Sequence, residues 1–156
     1  MKKVFALLAV SALLLTGCGE KEVTASADNL PTVTTNQGEA PTIGAPTGNP
    51  PTTLITKDII VGTGAEALPT STMTVHYTLM TWSNGQLIES SWNGGSPATF
   101  PLANVIVGWQ QGIPGMKVGG RRLLVIPPDL GYGAQGGGPI GPNETLIFVV
   151  DAIGVA

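Results

Sequence analysis

The sequence has one histidine, His76, and one cysteine, Cys18, and only 11% of its residues are charged. Each shortage removes a class of chemistry. A serine or cysteine hydrolase needs a base beside its nucleophile, most often a histidine. His76 lies mid-strand on the face opposite Tyr77, where it reads as a structural hydrogen-bonding residue. A zinc site takes three or four His, Cys or carboxylate ligands, and one of each does not make one. Gly136-Gly137-Gly138 has no following Lys and no strand-to-helix setting, so it is not a phosphate loop. Close carboxylate pairs are also absent from the domain. No cofactor and no metal is expected. What remains is chemistry without a titrating group, or binding alone.

Long hydrophobic runs are missing too. The longest, Val4 to Leu15, has 12 residues, too short to span a bilayer as a helix. It follows Lys2 and Lys3 and leads to Leu15-Thr16-Gly17-Cys18. A basic start, an apolar run and small residues before a cysteine fit an export signal. The last four resemble the lipobox of bacterial lipoproteins. Residues 1–17 are therefore expected to be a lipoprotein signal peptide, and Cys18 the lipidated new N-terminus. The protein would be exported and anchored to the cell membrane or outer membrane, its domain facing the periplasm or cell exterior. Gly19, where an Asp would signal inner-membrane retention in some Gram-negative bacteria, favours the outer membrane in a cell that has one. Without Lys2 and Lys3, five basic residues face ten acidic ones, a balance unsuited to nucleic acid.

Glycine and proline, by contrast, are abundant, with 22 and 13 residues. Eight Thr and five Pro lie between Thr24 and Thr53, with only Asp28 and Glu39 charged. Apolar residues such as Val33 and Ile43 stand alone, and no period of 2 or 3.6 is visible. Residues 18–53 are expected to be a disordered Thr/Pro-rich linker.

Regular patterning begins near Leu54 and marks residues 54–156 as the folded domain. From Thr72 to Met80 the chain alternates: Met73, Val75, Tyr77 and Leu79 share one face, and Thr72, Thr74, His76 and Thr78 the other. Ser83-Asn84-Gly85 is a turn signal, and Gln86 to Trp92 reads as the return strand. Leu123 to Ile126 and Thr145 to Ile153 are further strands; Leu146, Phe148 and Val150 lie opposite Ile147 and Val149. Only Val107 to Ile113 suits a helix, of about two turns. The class is α+β, an antiparallel sheet with one short helix.

Four stretches carry a resemblance: "VHYT" at Val75, "NGQLIESS" at Asn84, "VIVGWQQGIPGMKVGGRRLLVIPPDLGYG" at Val105 and "IGPNETLIFVVDAI" at Ile140. Their order and spacing resemble the FKBP-type peptidyl-prolyl cis–trans isomerases, across about residues 55–156. The resemblance implies an antiparallel sheet of five to six strands wrapped around one short helix, with a pocket between them. It places Trp109 on the pocket floor. It implies Tyr77, Glu89, Ile106, Trp109, Tyr132 and Phe148 as catalytic residues, and Ile88, Val105 and Ile140 as substrate-binding. It further implies that the Ile106 N–H and the Tyr132 hydroxyl bond carbonyls of a bound peptide or macrolide. The partners would be proline-containing unfolded or partly folded exported proteins.

Several positions depart from the family pattern. Ile88 and Glu89 stand where Phe-Asp is usual, Ala98 stands where an aromatic is usual, and Leu79 replaces a Gly. The pocket is therefore expected to lack aromatic walls and to be wider or shallower. Trp92 either folds over that gap or sits on a surface loop. These departures leave an alternative open: a non-catalytic or weakly catalytic module that binds proline peptides on the cell envelope.

Overall fold

The structure, a computed structural model, describes residues 29–156. The signal peptide and Cys18 lie outside the described residues.

Six strands form one sheet: β1 Ile55–Ile60, β2 Thr72–Thr81, β3 Leu87–Ser90, β4 Ala98–Pro101, β5 Arg121–Ile126 and β6 Leu146–Val155. The single α-helix among the described residues, α1, is Val107–Gly112. The order is β1-β5-β6-β2-β3, and every pairing is antiparallel. The expected α+β sheet around one short helix is the fold observed. β3 and β4 share one edge of β2 end to end, β4 on Thr72–Val75 and β3 on Thr78–Met80. In the gap between them the Ser91 Oγ accepts the Tyr77 N–H at 2.9 Å. A side chain thus completes the ladder at the residue whose ring faces the helix. The return strand is shorter than expected, because Ser91–Gly94 turns into a 3-10 helix.

The alternation read in β2 and β6 sorts residues to two faces. Met73, Val75, Leu79, Leu146, Phe148 and Val150 join Trp109, Leu124 and Ile126 in the core under α1. Met80, Leu123, Val125, Ile147 and Val149 form a second apolar cluster on the other face. α1 can lie close to the sheet because two of its residues are glycines. A Cβ on Gly108 would collide with the Ile126 side chain, and one on Gly112 with Leu124.

The expected disordered linker is corrected from residue 29 onward. Residues 29–53 run as an ordered strap over the second apolar cluster. Leu30, Val33 and Ile43 pack on it, and Val33 and Ile43 pair as an antiparallel bridge. Polar anchors hold the strap as well. The Trp82 Nε1–H donates to the Gly48 carbonyl at 3.2 Å, and the Gln37 amide to the Gly119 carbonyl at 2.7 Å. Arg121, fully buried, donates Nε–H to Asp151 at 2.7 Å and its two terminal nitrogens to the carbonyls of Thr34 and Glu39 at 2.9 and 2.7 Å. The folded unit is therefore three layers: helix, sheet and strap.

Candidate functional site

A bowl-shaped cavity of about 300 Å³ opens between α1 and the helix-facing side of the sheet. That size is at the lower end of the range for small-ligand sites. Trp109, 4% exposed, is its floor. Three rings meet the indole edge-on: Tyr77 at 5.9 Å and 83°, Phe100 at 5.9 Å and 87°, and Phe148 at 5.3 Å and 84°. Such T-shaped pairs place the positive edge of one ring on the negative face of another. The indole Nε1 is buried without a partner in the protein, which leaves a free donor at the base of an apolar site.

Strand, turn and helix each supply part of the wall. β2 contributes Tyr77 and Leu79, β3 Glu89, β4 Phe100 and β6 Phe148. Asn104, Val105 and Ile106 come from the approach to α1. The Gln110 amide donates to the Val105 carbonyl at 2.8 Å, and the Ile106 carbonyl accepts from Trp109 and Gln110, so this approach is tied to the helix. Tyr132, partly exposed, comes from the glycine-rich loop after β5.

Polar groups are few. The Tyr77 hydroxyl donates to Glu89 Oε1 at 2.6 Å. Burial, then the hydrogen bond and charge of Glu89, raise the Tyr77 phenol well above its ordinary value. It remains a protonated donor, and it fixes the carboxylate at the rim. A bowl lined by aromatic rings with a few oriented donors can hold a small apolar ring and orient neighbouring carbonyls. No nucleophile paired with a base lines it.

Seven of the nine residues expected here surround the cavity: Tyr77, Glu89, Val105, Ile106, Trp109, Tyr132 and Phe148. Ile88 and Ile140 do not. Ile88 packs against the helix-side core, and Ile140 is buried within it. Leu79, Phe100 and Asn104 line the cavity and were not expected to. Phe100 corrects one of the two expected gaps in the aromatic walls: it lies two residues from Ala98 on the same face of β4 and lines the cavity there, while no ring stands at Ile88. Leu79 shares the Tyr77 face of β2, so the strand alternation already pointed to it. Trp92 takes neither expected position. It stacks on His76 at 3.9 Å, on the face of β2 away from the bowl. The other side of His76 is engaged through Nδ1 and Ser91 Oγ, 3.0 Å apart.

Comparison with known proteins bears on this site. The family model described as FKBP-type peptidyl-prolyl cis-trans isomerase matches residues 64–153. The strap lies outside that span. A probable FK506-binding protein of Corynebacterium glutamicum is 49% identical over 115 residues, covering 74% of this chain and 98% of that protein. The outer membrane protein MIP of Legionella longbeachae is 43% identical over 106 residues, 67% of this chain and 45% of that one. Among solved structures, FkpA from Escherichia coli superposes with a TM-score of 0.62 at 36% identity, covering 65% of this chain and 47% of that chain. This chain thus spans about half the length of MIP and of FkpA.

Proposed function

The chain belongs to the FKBP-type peptidyl-prolyl cis–trans isomerases, and from that premise we propose that the bowl over Trp109 is where the X-Pro bond turns. The reaction breaks no covalent bond. Rotation passes through a twisted amide that has lost its resonance, with a barrier of about 18–20 kcal/mol. A twisted amide is less polar than a planar one. A dry, apolar bowl therefore favours it relative to the ground state. In this reading Trp109, Tyr77, Phe100 and Phe148 hold the proline ring, and the Ile106 N–H and Tyr132 hydroxyl hold flanking carbonyls. Glu89 acts through Tyr77, keeping its ring upright.

The observation that carries this reading is the set of three rings edge-on to one buried indole. The alternative, binding without turnover, drew its motive from the departures at Ile88, Glu89 and Ala98, and Phe100 answers the one at Ala98. A proline-limited refolding assay tests the proposal. The protein should accelerate the slow phase, and Trp109→Leu should remove most of the acceleration. Equal rates with and without the wild-type protein would overturn it. The same pocket would take a macrolide inhibitor, which should abolish the acceleration.

The reading extends to the cell envelope. The basic start, apolar run and Leu-Thr-Gly-Cys support export and lipidation at Cys18, and resemblance to an outer membrane protein agrees with it. The strap sharpens the geometry of such an anchor. Ten residues separate Cys18 from Asn29, and the eleven steps between them span at most about 40 Å. The chain joins the domain beside Leu30, on the sheet face opposite the bowl. A tether there enters the domain from the face opposite the bowl and leaves the bowl open to exported chains. Cys18→Ala should move the protein from the membrane to the soluble fraction; continued membrane attachment would refute lipidation.

A further inference from the structure

We propose that the bowl selects X-Pro segments in which a lysine or arginine precedes the proline, with Glu89 as the specificity-determining residue and Asp129 adding to its field. The proposal rests on the isomerase reading and names its preferred substrate class.

Glu89 is the only charged residue lining the cavity. It sits at the rim, exposed, and its bond from Tyr77 engages Oε1 and leaves Oε2 for an incoming group. A carboxylate held in place beside a substrate site costs an incoming cation less ordering than a freely rotating one.

No cation of the domain competes for it. From Asp58 to Met116, and again from Leu123 to Ala156, the sequence has no Lys or Arg. All ten lining residues come from these two stretches. The described residues hold four such bases, and three are committed elsewhere. Arg121 pairs with Asp151 at 2.7 Å, Arg122 with Asp58 at 2.6 Å, and Lys117 with Glu66 at 3.9 Å. The fourth, Lys57, is on β1, at the sheet edge opposite β3 and Glu89. Four strand spacings of about 4.8 Å separate those edges, well beyond the Debye length of about 8 Å at physiological salt.

Asp129 extends the negative field. It is exposed on the 3-10 turn Pro128–Leu130, three residues before Tyr132, and it does not line the bowl. Glu144 is bound to Ser83 through both its oxygens. The bowl thus presents an apolar floor and a one-signed rim. Complementarity of this kind acts on both encounter rate and selectivity.

The test uses the full chain and three short peptides that differ only in the residue before proline: Lys, Leu or Glu. Two unit charges about 7 Å apart in water interact by about a factor of three, attractive for one peptide and repulsive for another. At about 0.01 M salt, kcat/KM for the Lys peptide should exceed that for the Glu peptide by about tenfold. At about 1 M salt, where the Debye length is about 3 Å, the ratio should fall toward one. Glu89→Gln should abolish the ratio at low salt. Asp129→Asn should lower it while leaving the Leu peptide unchanged. Equal rates on the Lys and Glu peptides at low salt, a Lys peptide turned over no faster relative to the Leu peptide at low salt than at high salt, or a full ratio in Glu89→Gln, would overturn the proposal. Failure to accelerate any of the three would instead overturn the isomerase reading beneath it.

Discussion

Phe100 meets Trp109 edge-on, ring centroids 5.9 Å apart and planes at 87°, and it meets Tyr77 at 6.0 Å as well. One side chain on a four-residue strand thus joins the floor of the bowl to its wall. Edge-to-face pairs contribute about 0.5–1.5 kcal/mol each beyond their area. Phe100→Leu keeps most of the apolar volume but forfeits both pairs. The variant should lose about 1–3 kcal/mol of stability by denaturant titration. Its kcat/KM on a proline peptide should fall severalfold. Unchanged kinetics would show that the Phe100 wall is packing alone.

Tyr77 offers a test with a definite sign. Its phenol titrates above the ordinary 10.0 in the folded chain, chiefly through burial and then through Glu89. The folded chain therefore holds this proton to higher pH than the unfolded chain does. The resulting stability is fully present below pH 10.0 and is lost as pH rises toward the folded value. Urea midpoints measured from pH 8 upward should decline above about pH 10. Tyr77→Phe should flatten that decline. An unaltered decline in the variant would mean that another group carries it.

The helix-side architecture was legible because its signals are periodic. Alternation in Thr72–Met80 and in Thr145–Ile153 assigned residues to the two faces where the structure has them. The family motif then brought seven lining residues together. Phe100 is not legible from the family pattern, in which the aromatic stands at the position of Ala98, because only β4 itself places both residues on one face. The strap was missed for a different reason. Its apolar contacts, Leu30, Val33 and Ile43, are too sparse to show a period. Its strongest anchors are backbone carbonyls taken by Arg121, and a carbonyl is present at every residue. Composition alone could not separate such a segment from a free linker.

The strap should behave as part of the domain. Residues 54–156 alone expose Leu123, Val125, Ile147 and Val149, and leave two Arg121 nitrogens without their carbonyls. This fragment should unfold at lower denaturant and bind a hydrophobic dye that the chain from residue 29 does not. In the longer chain Arg121→Met leaves Asp151 buried without its cation, and breaking such a pair costs about 3–5 kcal/mol. Burial already pushes the Asp151 carboxyl up against the opposing pull of Arg121 and, last in size, of His76. Equal midpoints for the two lengths would return residues 29–53 to the status of a linker.

The glycines of α1 provide the last test. A Cβ at Gly108 would overlap the Ile126 side chain, which is itself buried between helix and sheet. Ile126 cannot swing into solvent, so the helix must lift. Lifting α1 moves Trp109, the next residue, away from its three rings. Gly108→Ala should therefore cost about 1–3 kcal/mol, as overpacking does. It should also lower isomerase activity and shift the tryptophan emission. Gly94 is the control: nothing lies within 4 Å of a Cβ there. Gly94→Ala should change stability by no more than about 0.5 kcal/mol, as surface substitutions do, and leave activity alone. If both variants behave alike, close approach of α1 to β5 is not what sets the height of Trp109 in the bowl.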